Sequence, residues 1–241
     1  MLDLEVTAHS GYFWNRRWET DIIEQLSFGR ILCYAAKWLG KKTFVRGWID
    51  FRRNKELCLV KELWKLLDEC DILIGQNCRA FDIKWCNAAF ARYDLPPPSP
   101  YKVIDTKIEA KKYLYLPSYA LNNLADYFGL GRKVEHEGFS LWLRCIKGDK
   151  QAWKRMKKYN KRDTELTEKI YLKLRSFIVS HPNIGMYMGK ATCPRCGSNN
   201  LISRGWQINQ KTKYRRMSCL GCGGWMRAPE NINKVKQNTG I

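Results

Sequence analysis

The sequence is short of acid. It sets 23 Asp and Glu against 43 Lys and Arg, a formal net charge of +20 over 241 residues. So large an excess points to a polyanionic partner, with nucleic acid first and an anionic membrane surface as its main rival. Long apolar runs are missing: no stretch approaches the length of a transmembrane helix. No basic amphipathic helix with an exposed apolar face stands out either, which sets the membrane aside. Histidine is scarce. His9, His136 and His181 are the three present, and none has metal-ligand spacing. The start of the chain carries Asp3 and Glu5 rather than a basic and then apolar leader, so a secretory signal is not expected. There is no internal repeat, no low-complexity tract and no disulfide framework.

What is present is a globular composition, 45% apolar and 13% aromatic. The length suffices for one good-sized core plus a small appendage. Six of the ten cysteines, Cys33, Cys58, Cys70, Cys78, Cys86 and Cys145, are scattered, mostly among apolar neighbours. They are expected as free thiols acting as small core residues in a reducing compartment, hence a cytoplasmic protein.

Residues 2–8 alternate apolar and acidic, as a half-buried strand does. Residues 30–39 and 43–50 predict two more strands joined by a hairpin at Gly40-Lys41-Lys42, and 55–69 a helix. Residues 71–75 (DILIG) predict a buried strand, 81–93 a helix and 101–105 a strand, with the stiff LPPPSP loop between the last two. Helices follow near 106–114, 119–128 and 139–147, then a long one over 149–178. This order predicts an α/β domain with a mixed sheet flanked by helices over 1–178. A linker is expected at 179–190, a small separate β unit at 191–228 and a polar tail at 229–241.

Three acidic constellations carry chemistry. Asp3 and Glu5 lie two apart on a strand and so share a face. Alone, they are equally well an exposed strand face. Asp82, in GQNCRAFD, follows the DILIG strand directly, at the edge where sites form in open α/β sheets. Alone, it reads rather as an ordinary first-turn acid favoured by a helix dipole. Tyr159 and Asp163, in YNKRD, are four apart and share a helix face. That helix is otherwise strongly basic, with Lys154, Arg155, Lys157, Lys158, Lys161 and Arg162.

Together, D-x-E on the first strand, N-x3-F-D after a later strand and Y-x3-D on the last helix resemble the three motifs of the DEDD-type 3′–5′ exonucleases. The Tyr-x3-Asp form is that of the tyrosine subclass. The histidine subclass would place His five residues before the last Asp, where this chain has Lys158. The family has a ribonuclease H-like fold, and the stretch Leu66–Ile104 is similar to stand-alone, often phage-encoded, relatives of the family-B DNA polymerase exonucleases. Only Met1 and Leu2 precede Asp3, fewer residues than the family's first strand usually has. That departure predicts a short strand or a start codon placed late.

The resemblance implies hydrolysis of phosphodiester bonds of single-stranded or frayed DNA by two Mg²⁺ or Mn²⁺ ions, in a prokaryotic or phage-infected cell. Such hard cations take oxygen ligands, and a pair of them can activate water and stabilise the leaving oxygen. Asp3 would bridge the ions, Glu5 and Asp163 would complete the first site and Asp82 would serve the second. Tyr159 would orient the attacking water, while Asn77 and Phe81 would place or stack the terminal nucleotides. Replication or recombination proteins are the partners such an enzyme would meet. The same motifs also fit a structure-specific endonuclease or a ribonuclease. A non-catalytic nucleic-acid-binding protein is the alternative from another class, and the intact carboxylate set argues against it.

The remaining cysteines form two C-x-x-C pairs, Cys193/Cys196 and Cys219/Cys222, 22 residues apart and each followed by glycine. That spacing matches a closed four-thiolate Zn²⁺ site of structural type, and the segment resembles a zinc ribbon. Arg204, Trp206, Lys213, Tyr214, Arg215 and Arg216 interleave basic and aromatic groups along it, which suits a nucleic-acid strand. A ribbon that docks on protein is the alternative.

Overall fold

The computed structural model describes residues 1–12, 23–49, 56–189 and 192–231. They form two compact units, Met1–Tyr171 and Leu172–Ile241. In chain order the first unit runs β1 (Leu2–Val6), β2 (Ser10–Tyr12), β3 (Glu24–Ser27), β4 (Ile31–Ala36), β5 (Val45–Trp48), α1 (Glu56–Glu69), β6 (Ile72–Gly75), α2 (Asp82–Arg92) and β7 (Lys102–Asp105). It continues through α3 (Thr106–Tyr113), α4 (Leu121–Tyr127), α5 (Ser140–Ile146) and α6 (Lys150–Leu174). The division between the units falls inside α6.

β4 is the central strand of an antiparallel trio, with β1 on one side and β5 on the other. Every residue of β4 is buried, as its continuous apolar run requires when both faces are covered. β1 alternates instead: Leu2 and Leu4 are buried while Asp3 and Glu5 are only half-buried. β6 and β7 pair in parallel, with α2 in the connection between them. β6 runs beside β1, so close that a Cβ added to Gly75 would come 3.4 Å from the Leu2 carbonyl oxygen and 2.5 Å from Cys78 Cβ. Antiparallel and parallel pairings thus stand side by side, which gives the layer its mixed character. α1 buries Leu59, Val60, Leu63 and Leu67 at helical spacing against the core that includes Leu2, Leu4, Ile31 and Leu73.

The turn after β6 is held open for α2 by one side chain. Asn77 sits at φ 59°, a left-handed conformation that Asn tolerates better than most residues. Asp105, at the end of β7, accepts from the backbone N–H of Asn77 at 2.9 Å and of Arg79 at 3.1 Å. The same carboxylate caps α3 through Lys107 N at 3.1 Å and Ile108 N at 3.4 Å. It is thus both a helix cap and a brace for the loop that leads to Asp82.

Several boundaries differ from the sequence expectation. The strand expected over 30–39 stops at Ala36, and the one over 43–50 is β5, Val45–Trp48; position 50 lies outside the described residues. The hairpin of β2 and β3 has no counterpart in the sequence reading. The last long helix ends at Leu174 rather than 178. The expected linker at 179–190 holds a short helix, α7 (Ile184–Met188), started by Asn183 accepting from Gly185 N at 3.0 Å and closed by Gly189 at φ 62°. Of the six scattered cysteines five are buried, but Cys58 is exposed.

The rest of the second unit is an antiparallel sheet in the order β10-β9-β8, made of β8 (Leu201–Ile208), β9 (Lys213–Cys219) and β10 (Trp225–Asn231). β10 therefore extends into the expected tail, whose residues 232–241 lie outside the described ones. In each cysteine loop the glycine after the pair has positive φ, Gly197 at 71° and Gly223 at 74°. Its N–H returns to the first cysteine's carbonyl at 2.8 Å in both loops, a turn that a side chain would strain.

Replacing Asp105 by Ala removes four backbone acceptor contacts at once. Denaturant unfolding is expected to show a loss of about 3 kcal/mol; a loss below 1 kcal/mol would show that the loop and α3 hold without it.

Candidate active site

Strand alternation aims Asp3 and Glu5 at the same side of β1, and α6 crosses that side. Tyr159 and Asp163 are one turn apart on its facing stripe. One carboxylate oxygen from each of Asp3, Glu5 and Asp163 falls within a group spanning 4.8 Å. Asp82, the first residue of α2, is outside that group but tied to it: its Oδ1 accepts from Leu4 N, between the two β1 acids, at 2.9 Å. Asp82 and Asp163 are buried.

The helix is fastened to the sheet by residues four apart. Asn160 donates to Asp3 Oδ2 at 2.7 Å and to the Asp3 carbonyl at 3.0 Å. Thr164 donates to the carbonyl of Ala35 at 3.2 Å, the residue paired with Asp3. Glu168 pairs with Lys37 just past β4. These contacts fix the depth at which Asp163 meets β1.

Lys133, from the segment between α4 and α5, enters the cluster. Its ammonium pairs with Asp163 Oδ2 and donates to the Tyr159 hydroxyl at 2.9 Å. Asp163 Oδ1 is buried with no hydrogen-bond partner among the described residues, an orphaned acceptor in a crowded acidic site. Tyr159 is walled edge-on by His136 at 4.8 Å and Trp142 at 6.0 Å between ring centroids. Trp142 also lies close enough to Glu5 to oppose the rise of its carboxyl.

The electrostatics follow from the crowding. Burial and then the charges of Glu5, Asp82 and Asp163 hold Asp3 well above the usual carboxylate range. Burial and then Asp163 push Glu5 up to about 8, with Lys133 opposing. Burial pushes Asp82 up to about 7, although the Leu4 N–H pulls the other way. Asp163 is raised by burial against the pull of Lys133. The Tyr159 phenol is raised by burial and then by Asp163, so at neutral pH it holds its proton and acts as a hydrogen-bonding group rather than a base. An all-oxygen set whose members repel one another, with one acceptor orphaned, fits a hard divalent cation.

The other sequence candidates lie as follows. Asn77 is in the turn leading to α2 and accepts from Lys107 Nζ at 3.2 Å. Phe81 immediately precedes α2, 38% exposed, with its ring 6.3 Å from Trp85. Lys133, Asn160 and Trp142 carry no motif, and His136, which lacks metal-ligand spacing, packs on Tyr159. Asn160 alone had a signal, since it sits three residues before Asp163 and so shares its helix face.

In the second unit the sulfurs of Cys193, Cys196, Cys219 and Cys222 converge, with Cys193–Cys222 and Cys196–Cys219 at 3.6 Å. A tetrahedral four-thiolate Zn²⁺ site sets sulfurs about 3.8 Å apart, so the cluster fits it. Burial opposes ionisation of Cys219, but N–H groups of Cys222 and Gly221 bring its thiol down to about 7. Trp206 is covered by Lys213 at 4.8 Å and Arg215 at 4.6 Å, Tyr214 by Arg227 at 4.2 Å and Trp225 by Arg216 at 5.1 Å. Arg216 also donates to the Arg204 carbonyl at 3.0 Å. Neighbouring residues of β9 point to opposite faces, so basic and aromatic groups pair on both sides of this sheet.

Residues 19–175 match the family model of the RNase H superfamily. No curated protein sequence matches the chain. Among solved structures, the family B DNA polymerase from the hyperthermophilic archaeon Pyrobaculum calidifontis is similar, with a TM-score of 0.50 and 14% identity. The match covers 89% of this chain and 31% of the polymerase chain, so this chain spans about a third of that length. The likeness is one of fold: an RNase H-like α/β arrangement of mixed sheet and helices.

Carboxylates held above their ordinary values favour the fold while protonated. As pH rises through the window from 4.5 to about 8 set by Glu5, the metal-free protein binds more protons folded than unfolded, so its stability falls. The melting temperature in EDTA is therefore expected to drop over that window, and Mn²⁺ to raise it more at pH 8 than at pH 5.5. Asp3→Asn is expected to raise the EDTA melting temperature by roughly 3–6 °C and to abolish the Mn²⁺ increment. A metal increment that survives Asp3→Asn unchanged would place the ion elsewhere.

Proposed function

We propose that this chain, which belongs to the RNase H superfamily, is a metal-dependent 3′–5′ exonuclease acting on single-stranded or frayed DNA. The observation that carries this is the convergence of Asp3, Glu5 and Asp163 oxygens within 4.8 Å, with Asp82 fastened to the same strand. Mg²⁺ or Mn²⁺ ions held by Asp3, Glu5, Asp82 and Asp163 would supply Lewis acidity and a water of lowered pKa. The chain's own residues do the positioning. Asn160 holds the Asp3 carboxylate from behind, leaving its other oxygen for the centre. Tyr159 keeps its phenol proton, accepts from Lys133 and stands beside Asp163, where it orients the attacking water. Lys133 offers a positive charge to the phosphate at the same point. Asn77 and Phe81 lie at the mouth formed by the start of α2 and receive the terminal nucleotide. An aromatic ring stacks on any base, so little sequence preference is expected.

The ribbon is proposed to hold one structural Zn²⁺ at its four cysteines and to grip the strand through the basic-aromatic pairs of β8, β9 and β10. So small a unit buries too little apolar surface to stand without such a staple.

A cleavage time course tests the centre. With 5′-labelled single-stranded DNA and RNA of one sequence, the wild type is expected to give a Mn²⁺-dependent ladder shortening from the 3′ end, faster on DNA. Asp3→Ala and Asp163→Ala are expected to cleave nothing while still binding the strand. Tyr159→Phe is expected to slow cleavage about a hundredfold, the scale of a misplaced reactant. Turnover by either Asp variant at the wild-type rate overturns the centre, and discrete internal cuts overturn the exonucleolytic direction. For the ribbon, elemental analysis is expected to find one zinc per chain, lost in Cys196→Ser together with much of the strand affinity. Full zinc in that variant would refute the four-thiolate site.

A further inference from the structure

A second cleft opens on the first unit, between the end of β5 and the start of α6. It encloses 460 Å³, within the range of small-ligand pockets. Its floor is apolar, with Ile49 and Cys145 buried. Trp48 and Trp153 line it, Trp48 being 48% exposed. Lys147, Lys150, Lys154 and Lys157 complete the lining, and no carboxylate does so among the described residues. Asp149, beside Gly148 and Lys150, is occupied elsewhere: it caps α6 through Gln151 N at 2.8 Å and Ala152 N at 3.1 Å and pairs with Arg144. Lys157 Nζ lies 3.2 Å from the ring centroid of Trp48. Burial and then the charge of Arg46 push its ammonium below the usual lysine value, so positive charge is crowded here.

Four cations gathered with no carboxylate among the described lining residues repel one another unless an anion joins them. Two indoles over an apolar floor ask for a flat ring at the same place. A ligand that satisfies both has an aromatic base and a phosphate.

We propose that the cleft between β5 and α6 is a second nucleotide-binding site, separate from the acidic centre, in which Trp48 and Trp153 receive a base and Lys147, Lys150, Lys154 and Lys157 its phosphates. The nucleotide comes either from a polynucleotide strand or from a free mononucleotide. None of these residues belongs to the carboxylate cluster, so the site stands or falls independently of the nuclease activity.

The test uses the full chain in EDTA, which suppresses cleavage and keeps the two questions apart. A fluorescently labelled oligothymidylate and unlabelled thymidine monophosphate are titrated against wild type, Lys150→Gln/Lys154→Gln and Trp48→Phe. Both lysines are exposed, so the double variant keeps its fold. It is expected to bind the oligonucleotide about tenfold more weakly, and the slope of log K against log salt is expected to shrink by about 1.4, the share of two phosphate contacts on a single strand. Trp48→Phe is expected to lose the part of the tryptophan quenching that accompanies binding in the wild type. Quenching by the monophosphate alone, lost in the same variants, assigns the site to free nucleotide; quenching by the oligonucleotide alone assigns it to the strand. Unchanged affinity, salt slope and quenching for both ligands in both variants would overturn the proposal.

Discussion

Asp3, Glu5 and Asp163 bring like charges within 4.8 Å of one another, with Asp82 held beside them, and the first unit is organised around that repulsion. A fold with no use for the cluster would separate these groups, because each ionisation in a crowded, half-dry site works against its neighbours. Here they are pinned from several directions. β1 fixes the spacing of two of them, the Leu4 N–H anchors the third, and α6 carries the fourth. Lys133 supplies one positive charge, and Asp163 Oδ1 is left without a partner among the described residues. Strain of this kind at a site is a usual cost of function.

The pinning explains features that look unrelated in isolation. α6 is held by Asn160, Thr164 and Glu168, one below another on the helix, meeting β1, β4 and the segment after β4. Asp105 serves the same end from the other side of the sheet. By bracing the turn at Asn77 it sets where α2 begins, and α2 begins at Asp82. A hydrogen bond at the end of β7 thus governs the placement of an acid on another element.

The second unit solves a different problem. Its strands are mostly half-buried or exposed, so burial contributes little and the four cysteines form its centre. Basic side chains lie over Trp206, Tyr214 and Trp225, which keeps ring and charge together on the sheet's faces.

What could be read from the sequence was local. Period-two alternation put Asp3 and Glu5 on one side of a strand, and a spacing of four put Tyr159 and Asp163 on one side of a helix. Two C-x-x-C pairs with trailing glycines specified their own turns. Each of those statements depends only on backbone geometry over a few residues. Lys133, His136 and Trp142 enter the cluster from segments with no motif, because their contacts join residues well separated in sequence. Asp105 shows the same limit: its cap to α3 joins residues two and three apart, its brace to Asn77 joins residues 28 apart. The helix at Ile184–Met188 was missed because its Asn and Gly caps resemble loop composition. Sequence by itself therefore determined which side chains share a face. Tertiary packing alone decided which faces meet and at what distance, since that is set by the buried surface and hydrogen bonds of every element between them.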